Sequence, residues 1–267
     1  MITPITSPIN NHPKTLRGMI NNMSLGSTLD LVMDAADTTS YDGSSQTWTD
    51  PINGNNYFRG TDGGANASDP TFAGTAGLPT EATYFSVDGG DQFTETAAHT
   101  FSDAWHKNNG AFTLVFLFYC VGSAGVRVIF SNGAYSGVGG ETDGISIVVN
   151  ADETVSLEHS TAAATSSRDT TTAALTTGSW NFIGISFDEA AAVVLAQING
   201  NAESQATAAS TNTDTHASPL RLLSSGGANF CDSGDRLACW AASSTAWTAA
   251  QLTDLYARMK ALRFTSL

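Results

Sequence analysis

Ten consecutive residues in the middle of the chain, Ala111-Phe-Thr-Leu-Val-Phe-Leu-Phe-Tyr-Cys120, are almost all apolar or β-favouring. A run so rich in aromatic and branched side chains reads as a strand held between two packed layers. Shorter runs of the same character follow at residues 126–130, 145–149, 155–159, 180–187 and 193–198, each bounded by turn residues. Asn150-Ala-Asp-Glu153 and Asn199-Gly200-Asn201 lie between or after such runs. Asn-Gly readily takes the positive φ values of tight hairpins, so the strand order is expected to be antiparallel. The pattern predicts an all-β fold, an antiparallel two-sheet sandwich. Two stretches rich in Ala, Ser and Thr, 160–177 and 202–218, read as long solvated loops or plain edge strands.

The ends differ from this centre. Residues 1–28 carry Pro4, Pro8 and Pro13, paired asparagines and a small basic group of His12, Lys14 and Arg17, without periodicity. They are expected to form an extended docking arm ahead of one sandwich domain, 29–267. At the other end Thr248 and Gln251 have capping-box spacing, and Trp247 can staple onto Leu252. Leu252, Leu255, Tyr256, Met259 and Leu262 then share one face, which predicts a helix over 248–264 packed on the sandwich.

Leu29-Asp-Leu-Val-Met, followed by Ser40-Tyr41-Asp-Gly43 and Trp48-Thr-Asp50, resembles the opening strand and turn of laminin-G-like, concanavalin A-like jelly-roll domains, a family found in phage virion and bacterial surface proteins. Tyr84-Phe-Ser-Val-Asp88-Gly89-Gly-Asp91-Gln-Phe93 is similar to its Phe-Asp-Gly-x-Asp hairpin, and Gly178-Ser-Trp180 to its Gly-x-Trp strand. The resemblance spans nearly everything after the arm. It implies the fold and leaves function open, because this sandwich hosts lectins, glucanases and spacers alike.

Charge and motifs narrow the functions. Acidic residues outnumber basic ones by 25 to 11, a formal charge of -14, and the cations are scattered, so nucleic-acid binding is not expected. No apolar stretch approaches the roughly 18 residues of a membrane span. The opening residues lack the pattern of a secretory signal, so the expected route is synthesis in a host cytoplasm and later release. Cys120, Cys231 and Cys239 read as buried thiols, with a Cys231–Cys239 bridge the geometric alternative.

Glycoside hydrolases on this sandwich place paired carboxylates on one strand. The nearest approach, Glu141-Thr-Asp143-Gly-Ile145-Ser146, lacks the last carboxylate and follows Gly139-Gly140, so no enzyme activity is expected. Asp88, Asp91 and Asp143, with Asp232 or Asp235, sit in Gly-rich loops whose oxygens suit calcium, although such residues more often stabilise their own turns. Trp105, Tyr135 and Tyr57 are the candidate sugar-stacking aromatics, with Trp48 structural.

The resulting expectation is a non-catalytic subunit of a phage-like particle: a tail fibre, spike or capsid decoration on the virion surface. It would be a homo-oligomer docked on other virion subunits through its arm and would recognise host-surface polysaccharide. A bacterial carbohydrate-binding or adhesion module, extracellular or on the cell surface, is the alternative, and an endoglycanase the third reading.

Overall fold

The computed structural model describes residues 13–96, 105, 107, 109–122, 125–132, 144–162, 165–211, 219–225 and 229–267. After a helix α1, Leu16–Asn21, and a 3-10 turn at Gly26–Thr28, the strands begin with β1 Leu29–Asp34, β2 Thr47–Thr49, β3 Asn56–Arg59, β4 Thr71–Ala73, β5 Tyr84–Ser86 and β6 Phe93–Glu95. Then come β7 Ala111–Cys120, β8 Arg127–Ser131, β9 Ile145–Val149, β10 Thr154–Ala162, β11 Thr165–Ala174 and β12 Ser179–Asp188. The last are β13 Val193–Ile198, β14 Asn201–Ala206, β15 Arg221–Leu222 and β16 Arg236–Ser243, followed by α2, Ala249–Leu262.

These strands form two antiparallel sheets. Sheet A runs β14-β13-β12-β7-β16-β5-β4 with β1 also on β16, and sheet B runs β11-β10-β9-β8-β15-β6-β3-β2. The all-β sandwich with a C-terminal helix is therefore as the sequence predicts.

The long run at β7 is apolar on both faces because both faces are covered. Phe112, Leu114, Phe116 and Phe118 point into the core between the sheets, while Val115 and Leu117 lie under the helices on the outer face of sheet A. Phe116 stacks on Trp240 of β16 at 6.0 Å between ring centres, nearly parallel. Removing so large a buried ring would cost about 3–5 kcal/mol.

Local chemistry fixes the joints. Asn199 and Gly200 both have positive φ, 49° and 92°, and Ile198 pairs with Asn201, the two-residue turn that Asn-Gly favours. In α2 the Thr248 hydroxyl accepts the Gln251 N–H at 3.3 Å, and the Gln251 side chain accepts the Thr248 N–H at 2.7 Å, the expected reciprocal cap. The Ala/Ser/Thr-rich stretches supply β11 and β14, the two free edges on one side of the sandwich. There Glu203 of β14 accepts the β11 amides of Thr172 and Ala173 at 2.7 and 2.6 Å, which screens one edge with the other.

The described part of the N-terminal segment is compact rather than extended. Leu16, Met19 and Ile20 are fully buried against β1, β16 and α2, so residues 13–28 dock on their own sandwich. Asp34 of β1 makes that joint. It accepts the Leu16 N–H at 2.9 Å and pairs both carboxylate oxygens with the Arg263 guanidinium at 2.8 and 2.7 Å. All three cysteines are buried and free, as read from the sequence.

Candidate functional site

Opposed residues in an antiparallel ladder share a face, so the strand registers decide which side chains meet. On sheet B the pairings Thr47 with Phe58, Phe58 with Thr94, Thr94 with Arg221 and Arg221 with Ser131 carry one row across the first strands. Ser131 with Ser146, Ser146 with Glu158 and Glu158 with Arg168 complete it. The adjacent row, Phe93, Leu222, Phe130, Ile147 and Leu157, points into the core. The first row therefore faces away from that core and spans all eight strands of the sheet, with Ser131, Ser146 and Glu158 fully buried and Thr47, Phe58, Thr94, Arg221 and Arg168 half-buried. It comprises one aromatic ring, four hydroxyl side chains, two guanidinium groups and a carboxylate.

Two of these groups are electrostatically unsettled. Glu158 is fully buried, with its Oε1 3.1 Å from Nη1 of Arg168, yet neither carboxylate oxygen accepts a hydrogen bond among the described residues. Burial pushes its carboxyl up to about 6 against the opposing pull of Arg168. Arg221, half-buried between Thr94 and Ser131, has its affinity for the proton lowered by burial. Among the described residues its guanidinium makes no hydrogen bond or ion pair. Arg168 is held in place by Ser156, whose hydroxyl accepts from Nε at 3.2 Å, and by the Asn150 side chain. Perturbed, incompletely paired charges on a rigid sheet mark a candidate site.

The sequence missed Glu158 and Arg221. The signal for Glu158 was present, because Val155 and Leu157 alternate inward and so place Ser156 and Glu158 outward. Arg221 sits in a strand only two residues long, too short to read from periodicity.

The aromatic candidates fare differently. Trp105 is fully buried and packs on Phe112 and Phe130 at 5.6 and 6.2 Å between ring centres. Tyr57 is fully buried edge-on to Trp240 at 6.0 Å. Both belong to the core, because their strand or loop points inward, and neither presents a ring to a ligand. Trp48 is a core residue too, as expected. Tyr135 lies outside the described residues.

The calcium candidates are likewise divided. Asp88 and Asp91 come together, with Asp91 Oδ2 accepting the Asp88 N–H at 2.9 Å and Asp88 Oδ1 accepting the Gly90 N–H at 3.2 Å. These bonds close the turn itself. Burial, with the Asp88 carboxylate adding to it, pushes the Asp91 carboxyl up to about 6. Asp143 lies outside the described residues, and among those described no three His, Cys, Asp or Glu side chains converge as a metal requires. Asp232 and Asp235 instead face the buried Arg127, at 3.5 and 3.4 Å, so a guanidinium holds the place assigned to a cation.

A cavity of about 280 Å³ lies elsewhere, between the start of α2 and the outer face of sheet A, lined by Ser186, Asp188, Val193, Leu195, Trp247 and Thr248. Its walls are largely apolar, and it does not reach the polar row.

No family model and no curated protein matches the sequence. Among solved structures, the chain is similar to Trypanosoma rangeli sialidase in complex with sialic acid, with a TM-score of 0.57 at 11% identity over 89% of this chain. It is also similar to the binding domain of botulinum neurotoxin serotype G, with a TM-score of 0.59 at 13% identity over 85% of this chain. A third is the binding domain of botulinum neurotoxin DC in complex with rat synaptotagmin II, with a TM-score of 0.59 at 10% identity. The chain spans 34% of that sialidase and 50% and 52% of the two toxin domains. At such identities the likeness shows the fold, a two-sheet β-sandwich shared with binding domains.

It also corrects one expectation. Absence of enzyme activity does not follow from the sequence, because sialidases stand among the structures that share this architecture. Glu141, the nearest approach to a catalytic carboxylate in the sequence, lies outside the described residues.

Proposed function

We propose that the chain is a laminin-G-like recognition module that binds an acidic saccharide across the outer face of sheet B. Its half-buried members Thr47, Phe58 and Arg221 carry this reading. The Thr47 hydroxyl can meet a sugar hydroxyl as donor or acceptor, and the Phe58 ring offers a sugar its apolar face. Arg221, a cation with no acidic partner among the described residues, suits the carboxylate of an acidic sugar. That one fold neighbour is a sialidase holding sialic acid, and others are toxin binding domains, supports the choice of ligand class. Display on a phage-like particle or a cell surface, implied by the family resemblance, belongs to the same proposal.

The test is a panel of neutral and acidic glycans presented to the wild type, Arg221→Ala and Glu158→Gln. Saturable binding of an acidic glycan that Arg221→Ala weakens at least tenfold is expected. Binding that both variants retain would overturn it.

A further inference from the structure

A second charged site stands on the opposite sheet, independent of the row above. On the outer face of sheet A, Arg236 of β16 pairs across the ladder with Tyr119 of β7 and with Ser86 of β5. Its guanidinium carbon lies 4.2 Å from the centre of the Tyr119 ring and 4.7 Å from that of Tyr84. Trp180 meets both tyrosines edge-on, at 5.6 and 5.8 Å, and packs in turn on Phe264 at 5.2 Å. Tyr84, Tyr119 and Arg236 are half-buried, whereas Trp180 is buried beneath them.

This arrangement uses the guanidinium in one direction only. Its ring contacts are cation–π contacts, which leave the in-plane N–H groups uncommitted. Among the described residues those groups make no hydrogen bond or ion pair, and the two phenol hydroxyls likewise make no hydrogen bond. A surface arginine in a chain with 25 acidic residues has abundant potential partners, and this one is held against aromatic rings instead. Each of the three side chains stands on a strand of the sheet, so little rotamer freedom would be lost on binding.

We infer that Arg236, Tyr84 and Tyr119 form a receptor for an oxyanion: a carboxylate, sulfate or phosphate group. The guanidinium offers its fork of N–H donors to two oxygens of the anion, and the tyrosine hydroxyls supply further donors at its flanks. Tyr119 and Tyr84 fix the plane of the fork, and Trp180 supports the tyrosines from below.

The experiment uses the whole chain and the side-chain Nε–H resonance of Arg236, identified by its loss in Arg236→Lys. Sodium acetate, sulfate and phosphate are titrated in turn, with sodium chloride at matched ionic strength as the reference. The expected result is a saturable shift with at least one oxyanion, absent with chloride. Binding should be weakened about tenfold or more in Arg236→Lys, which keeps the charge but loses the fork, and weakened less in Tyr119→Phe. Binding followed through the backbone amides of Ser86 and Tyr119 reports on both variants. Shifts that grow linearly with every salt, or oxyanion binding that Arg236→Lys retains, would overturn the assignment. Arg221→Ala should leave this titration unchanged, which separates it from the saccharide site.

Discussion

Replacing Glu158 by glutamine should make the protein more stable at neutral pH. Burial raises the carboxyl from its ordinary 4.5 to about 6. The difference corresponds to about 2 kcal/mol between the two protonation states. Because the folded state holds the proton more tightly, this stabilisation is full below pH 4.5 and is lost as the pH rises through 6. Glutamine keeps the shape and cannot ionise. The unfolding free energy of the variant relative to wild type should therefore rise by about 2 kcal/mol between pH 4 and pH 8. Asp91 titrates in the same range but in both proteins, so it cancels. Urea denaturation at unit pH steps measures the difference directly, provided the slope with urea is unchanged. A difference that is flat with pH would refute the reasoning. So would a variant about 3–5 kcal/mol less stable at pH 8, since that is the signature of breaking a buried ion pair whose charges stabilise each other.

Arg263→Ala should cost about 3–5 kcal/mol in chemical denaturation, because it strands the buried Asp34 carboxylate that joins β1 to both helices; a loss under 1 kcal/mol would contradict that role. Thr248→Ala should cost about 1 kcal/mol in the same assay through the lost cap of α2, and no loss would mean that packing alone starts the helix. Glu203→Ala uncovers two β11 amides and is expected to promote self-association, read by sedimentation. Those amides hold the Glu203 carboxyl below the usual carboxylate range despite its partial burial, so the wild-type clasp is present above pH 4.5 and weakens as the pH falls below it. A monomeric Glu203→Ala would show that the edge is protected by other means.

Where the chain is covered on both faces or capped by local bonds, the sequence is a sufficient guide. The strand at Ala111–Cys120, the Asn199-Gly200 hairpin and the Thr248 cap each depend on residues close in sequence, and each lies where the pattern predicts. The helix at Leu16–Asn21 was hidden because six residues carry too little periodicity, and its buried face is defined largely by β16 and α2, more than 200 residues along the chain. The candidate site was hidden for a related reason. Its row is assembled from eight strands by register, and no two of its members are neighbours in sequence. The aromatic residues suggested in its place are the ones that the core takes up first, since a large ring gains most by leaving water.

The most direct test of the account is the map of backbone amide shifts on adding an acidic oligosaccharide to the isotopically labelled protein. The account predicts saturable shifts on sheet B centred on Phe58, Thr94 and Arg221, with any response of sheet A confined to the separate oxyanion site around Arg236. Shifts centred on the cavity beside Trp247, or no saturable shift with any acidic saccharide, would contradict the assignment of this face.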